Sequence, residues 1–175
     1  MKKAEDYKGD LQKYLQCYDY PQIEMTNYLD NIKNRDFNQN IINEIVLWKV
    51  NRYVKIENNL LNEINSLKGL PNGQHKKCEP ILEKLLNIKG VDLPMASTIL
   101  RFRNPDVFQI IDRHAYRAVY DEKYPVHVTT KIKKKMDVYF GYLDRLIELC
   151  KIRNLDFCTI DRLLYMYDKK INGKL

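Results

Sequence analysis

The stretch 85–120, LLNIKGVDLPMASTILRFRNPDVFQIIDRHAYRAVY, constrains the fold of this chain more than any other. It reads as helix, tight turn, helix, loop, helix. Ile81, Leu82, Leu85 and Leu86 repeat at helical spacing over 80–87, and Gly90 then supplies a turn, because a residue without Cβ enters left-handed backbone angles at little cost. A second helix is predicted immediately. Asp92 stands where an N-cap carboxylate accepts orphan amides, Pro94 is tolerated in a first turn, and Ala96, Ile99 and Leu100 form the buried stripe.

Such a turn aims a short row of backbone amides, 89–93, outward at a helix start. The row favours an anion whatever the base sequence, so it suits a nucleic-acid backbone held without being read. An ordinary helical hairpin with a glycine turn is the other reading of the same residues.

Ile88, Lys89, Gly90, Val91 and Asp92, with Ala96, resemble the helix-hairpin-helix motif of the DNA glycosylase superfamily. That superfamily includes endonuclease III and the adenine, 8-oxoguanine and alkyladenine glycosylases. Ile111-Asp112-Arg113-His114, with Asp112 standing 22 residues beyond Gly90, resembles its aspartate motif. The match covers about 81–120, and the two halves fall in the family's order and separation. Two departures stand out: Asp92 occupies the place of the hairpin's second glycine, and Pro94 the place of the nucleophilic lysine of lyase-active members.

The resemblance implies an all-α fold of the helix-hairpin-helix glycosylase type, with 1–175 as one domain of two small helical lobes around a cleft. It implies a base-excision repair protein that hydrolyses the N-glycosidic bond of a damaged or modified base in double-stranded DNA. With Pro94 in the lysine's place, such an enzyme is expected to be a monofunctional N-glycosylase. Asp112 would be the catalytic carboxylate, stabilising an oxocarbenium-like sugar and orienting or deprotonating water. Its other reading is a cap for the helix 113–120. Ile88, Lys89, Gly90, Val91, Asp92 and His114 would contact DNA, His114 alternatively being packed locally. Carbonyls of Leu86, Ile88 and Val91 are where the family would place a monovalent cation. No metal or cofactor is otherwise expected. Two further classes stay open on the same fold: a non-catalytic, sequence-independent DNA-binding module, and a protein-interaction scaffold.

The remaining residues frame this centre. A length of 175 residues suits one domain, and a formal charge of +7 makes polyanions plausible partners. The beginning, 1–10, shows no apolar run of the signal-peptide kind, and no segment approaches membrane-spanning length, so a cytoplasmic chain away from membranes is expected. A monomer is expected separately, no sequence feature fixing the oligomeric state. Cys17, Cys78, Cys150 and Cys158 form no CxxC pair, which argues against a zinc ribbon or a thioredoxin-like site. Cys150 with Cys158 cannot supply the four closely spaced C-terminal cysteines that hold the iron–sulfur cluster of some superfamily members.

A helix is predicted over 7–20, around Leu11, Tyr14, Leu15 and Tyr18 and ended by Pro21, and 23–33 reads as a short helix or partly as loop. Another spans 37–50, where Ile41, Ile42, Ile45, Val46 and Trp48 read as a buried face. Trp48 doubles as a candidate wall of the base pocket. A helix is expected over 53–67 and a loop over 68–77. Next comes a helix from Thr130, capped by Thr129 or Thr130, with Ile132, Met136, Tyr139, Leu143, Ile147 and Cys150 inward. Lys131, Lys133, Lys134 and Lys135 are its solvated face or part of a DNA-facing patch. A last helix covers 156–169, with Ile160, Leu163, Leu164 and Tyr167 inward. Strand signals are missing, which gives an all-α chain of roughly eight to ten helices.

Overall fold

A computed structural model describes residues 4, 8–16, 23–32, 34–51 and 53–173. All regular structure among the described residues is helical, with no strand: nine α-helices and short 3₁₀ turns, joined by loops. No helix among them is long and apolar enough to cross a membrane. The chain divides into two compact units, Met1–Tyr53 and Val54–Leu175.

The first unit holds α1 (Lys13–Gln16), α2 (Ile23–Asn31) and α3 (Gln39–Lys49). The expected helix 7–20 is corrected over its described part: only Lys13–Gln16 is helical and 8–12 is irregular, where Asp10 Oδ1 accepts the Gln12 amide at 2.8 Å and so competes with a helical start. Residues 7 and 17–20, with Cys17 and Tyr18, lie outside the described residues, as does Pro21. Asn38 starts α3 by accepting the Ile41 amide at 3.0 Å, and Trp48 Nε1 donates to Thr26 Oγ1 of α2 at 2.8 Å. The prediction that α3 is a buried helix is corrected. Ile41 is buried, but Ile42 and Val46 are 42% and 53% exposed, because the apolar residues spread round more of α3 than the face turned to α2.

The second unit contains α4 (Asn58–Ser66), α5 (Glu79–Leu86), α6 (Leu93–Arg103), α7 (Arg113–Tyr120), α8 (Ile132–Arg153) and α9 (Ile160–Ile171). Residues 53–57 are not helical, contrary to expectation. Val54 and Ile56 pack against the core while Lys55 and Glu57 are exposed, an alternation of β-branched and charged residues that suits extended chain. The predicted loop 68–77 is irregular but edged by 3₁₀ turns at Leu67–Gly69 and His75–Cys78. Asn104, buried after α6, holds it by donating to the carbonyls of Leu67 and Leu70 at 2.9 and 3.1 Å.

The core gathers Leu82 and Leu85 of α5, Leu93, Ala96 and Leu100 of α6, Phe108 and Ile111 of the following loop, and Tyr139, Tyr142, Leu143 and Leu146 of α8. Two expectations about the later helices change. α8 begins at Ile132 without a side-chain cap, since Thr130 Oγ1 instead accepts the His127 amide at 2.9 Å. On α9, Leu163 and Tyr167 are exposed and the buried face carries Asp161 and Asp168 beside Ile160 and Leu164. The charges turn the helix. Asp161 pairs with Arg101 at 3.4 Å, and fully buried Asp168 takes the Arg117 fork at 2.9 and 2.7 Å, along with His114 Nδ1 at 2.7 Å and Asn172 Nδ2 at 2.8 Å.

Hydrogen bonding from Arg117 holds the Asp168 carboxyl well below the usual carboxylate range. Asn172 and His114 add to this and burial opposes it. A carboxyl whose folded value is depressed stabilises the fold above its unfolded value, near 4, and that stabilisation is lost as pH falls towards the lower folded value. Melting temperature should therefore drop below about pH 4. The Asp168→Asn variant should melt lower at neutral pH and show a flatter acid limb, which a thermal-denaturation series from pH 7 to 2 would measure.

Candidate functional site

The site begins at the turn between α5 and α6. The Ile88 amide donates to Leu85 O, and the Val91 amide to Ile88 O at 3.0 Å, closing a turn around Gly90 at φ +90°. Nothing would meet a Cβ added to Gly90, so glycine is required there by the backbone angle and not by crowding. Asp92, in extended conformation, is the N-cap of α6 as expected: its Oδ1 accepts the Leu93 amide at 2.8 Å. Val91 is buried and Ile88 partly so, leaving Lys89 and Gly90 exposed.

Of the amides expected in the outward row, Val91 and Leu93 are thus taken within the protein. Those of Lys89, Gly90 and Asp92 carry no hydrogen bond within the described residues. Lys135 of α8, from the lysine run read as a solvated face or part of a DNA-facing patch, is instead buried at 6% exposure. Its Nζ lies 2.7 Å from Asp92 Oδ1 and 3.1 Å from Val128 O. Lys133 conforms better to that reading, exposed and paired with Glu79 and Asp137.

The aspartate segment is pinned to the same framework. The Ile111 amide donates to Ser97 Oγ at 3.2 Å, and Ser97 Oγ donates to Pro94 O at 2.9 Å, so one hydroxyl joins the first turn of α6 to the residue before Asp112. From α8, the Tyr139 and Tyr142 hydroxyls donate to the carbonyls of Gln109 and Ile110 at 3.0 and 3.1 Å. Burial pushes both phenols far up, which keeps them protonated donors. Asp112 follows as N-cap of α7, its Oδ1 accepting the Ala115 amide at 2.7 Å.

Asp112 and the start of the hairpin's second helix share one open cavity of about 470 Å³. Its walls include Asp92, Pro94, Asp112, Arg113, Tyr124 and His127. A second groove of about 320 Å³, lined by Ile110, Asp161, Arg162, Tyr165 and Met166, also includes Asp112. The Tyr124 hydroxyl is buried without a hydrogen-bond partner, and its phenol is pushed up by burial and then by Asp92 and Asp112.

His114, the other candidate DNA contact in the motif, is turned to Asp168 through Nδ1, with Tyr165 edge-on at 5.0 Å. Trp48 belongs to the first unit, where its indole binds Thr26. Among the described residues no cluster of three His, Cys, Asp or Glu side chains is arranged to hold a metal ion. Compared with protein-family models, with curated proteins and with solved structures, the chain matches none.

Sequence reasoning missed Tyr124 and Ser97, and it named Lys135 only as a member of the lysine run, not as a buried partner of Asp92. A signal existed for Lys135, which falls at the helical phase of Ile132, Met136 and Tyr139 and so sits on the apolar stripe. Tyr124 lies in a connector without periodicity, where nothing local marks a residue as inward.

Proposed function

We propose that this chain binds double-stranded DNA through the Gly90 turn and hydrolyses the N-glycosidic bond of a damaged or modified base at Asp112, in the manner of helix-hairpin-helix DNA glycosylases. The observation that carries this reading is the shared cavity: Asp112 and the Asp92–Pro94 start of α6 line one space of about 470 Å³. Ligand pockets for small molecules run from about 300 to 1,000 Å³, so a single extruded nucleotide is of suitable size.

An enzyme acting on a base must take it out of the stack, and phosphate contacts at the turn would hold the backbone while that happens. As the glycosidic bond lengthens, the sugar becomes cationic. The Asp112 carboxylate, with Oδ1 fixed by the Ala115 amide, would oppose that charge in a position set before the reaction starts. Water activation would fall to the same group. With Pro94 where a lyase would hold its amine, no Schiff base between that position and the sugar, and no strand nicking by it, is expected.

The cap bond from Ala115 also favours a second reading, in which Asp112 is structural and the chain is a non-catalytic DNA-binding module. Both readings need the turn. The Gly90→Val variant places a β-branched residue at φ +90° and should deform the amide row, lowering affinity for every duplex by about ten-fold or more whatever its sequence. Fluorescence anisotropy with two unrelated short duplexes would measure this. Unchanged binding, or loss for one sequence only, would remove the turn from the DNA interface.

A further inference from the structure

Asp92 poses a difficulty for any anion at the Gly90 turn, because it sets a carboxylate at the helix start where the anion would rest. The structure supplies a counter-charge from 43 residues further on, at Lys135. A lysine at 6% exposure is uncommon, since burying an ammonium is costly unless it is paired. Its two acceptors, Asp92 Oδ1 at 2.7 Å and Val128 O at 3.1 Å, both belong to walls of the cavity that holds Asp112. The ammonium thus stands behind that cavity, ties two of its walls together, and keeps one of its three donors unused within the described residues.

We infer that Lys135 is a positioning and charge-balancing residue for an anionic ligand at the Gly90 turn, cancelling Asp92 so that a phosphodiester can approach the open amides of Lys89, Gly90 and Asp92. This rests on the DNA-binding reading above. It makes Asp92 and Lys135 a unit. Removing the lysine alone leaves an uncompensated carboxylate beside the ligand, whereas removing both charges restores a neutral surface. A lysine present only to support the fold, or one touching phosphate directly, would behave differently.

The test is a cycle of four proteins, wild type, Lys135→Gln, Asp92→Asn and the double variant. Each is titrated with a short unmodified duplex at several salt concentrations, with melting temperature recorded for each. The expected result is a loss of about ten-fold or more for Lys135→Gln at low salt, shrinking as salt screens the carboxylate. Asp92→Asn should bind as tightly as wild type or more so, and the double variant within about three-fold of wild type. Should Lys135→Gln fail to fold, Lys135→Met replaces it, and the double variant still contains no unpaired buried charge.

Unchanged binding by the single lysine variant would overturn the inference. So would a double variant as weak as that single, which would place the lysine's charge on the ligand itself. A wild type that binds no duplex at low salt would instead refute the DNA-binding reading, and this inference with it.

Discussion

Asp112→Asn is expected to release a susceptible base about a hundred-fold or more slowly than the wild type while binding the same duplex equally well. Asparagine is as good an N-cap as aspartate, so the side-chain carbonyl oxygen of the variant can still accept the Ala115 amide that Asp112 takes at 2.7 Å. What disappears is the negative charge. The intact nucleotide carries no positive charge at the sugar, so the ground-state complex loses little and the transition state loses its electrostatic partner. Melting temperature serves as the control. If the carboxylate is only a cap, base release in Asp112→Asn stays at the wild-type rate. Asp112→Ala then loses about 1 kcal/mol of stability for want of a cap and loses no rate.

Leu100→Ala should be strongly destabilising, by about 2–5 kcal/mol. Leu100 is fully buried on α6, in the cluster that contains Leu82 and Leu85 of α5 and Phe108 and Ile111 beyond it. Close-packed neighbours relax only partly around a deleted isobutyl group, so a cavity cost adds to the lost transfer energy. For a chain of this size each kcal/mol moves the melting temperature by about 2–4 °C. Leu163→Ala on α9 is the matched control, at 43% exposure, and should change stability by no more than about 0.5 kcal/mol. Urea unfolding of both variants would decide whether α6 is held as tightly as its burial implies. A loss below about 1 kcal/mol for Leu100→Ala would show that it is not.

The helices around the site were legible because their signals are local. Asp92 and Asp112 both cap the helices expected of them, α7 spans 113–120 as read, and the turn at Gly90 has the positive φ for which glycine was invoked. The errors at α3 and α9 share a cause, which is that periodicity marks an apolar face without saying what will cover it. α3 has such a face and leaves Ile42 and Val46 exposed. α9 buries Asp161 and Asp168 in place of Leu163 and Tyr167, because Arg101 and Arg117 arrive from helices far away in sequence and satisfy those carboxylates.

Lys135 is the same lesson at the site itself. Read from the run alone, a lysine among lysines faces solvent, and the approach of Asp92 from 43 residues upstream, together with the Val128 carbonyl, makes its burial tolerable. Ser97 and Tyr124 depend likewise on partners brought by the fold. Val54-Lys55-Ile56-Glu57 differs, since its alternation was present in the sequence and was read as helix despite it.

The measurement that bears most directly on the account is single-turnover base release by the wild-type chain on duplexes carrying one alkylated, oxidised or deaminated base each, with the products cleaved by alkali or heat and resolved by length. The account predicts release of at least one base at a rate that falls about a hundred-fold or more in Asp112→Asn, with no adduct trapped by borohydride. Tight binding to the duplexes with no base released from any of them would contradict it, and would leave the cavity at Asp112 as part of a DNA-binding surface without chemistry.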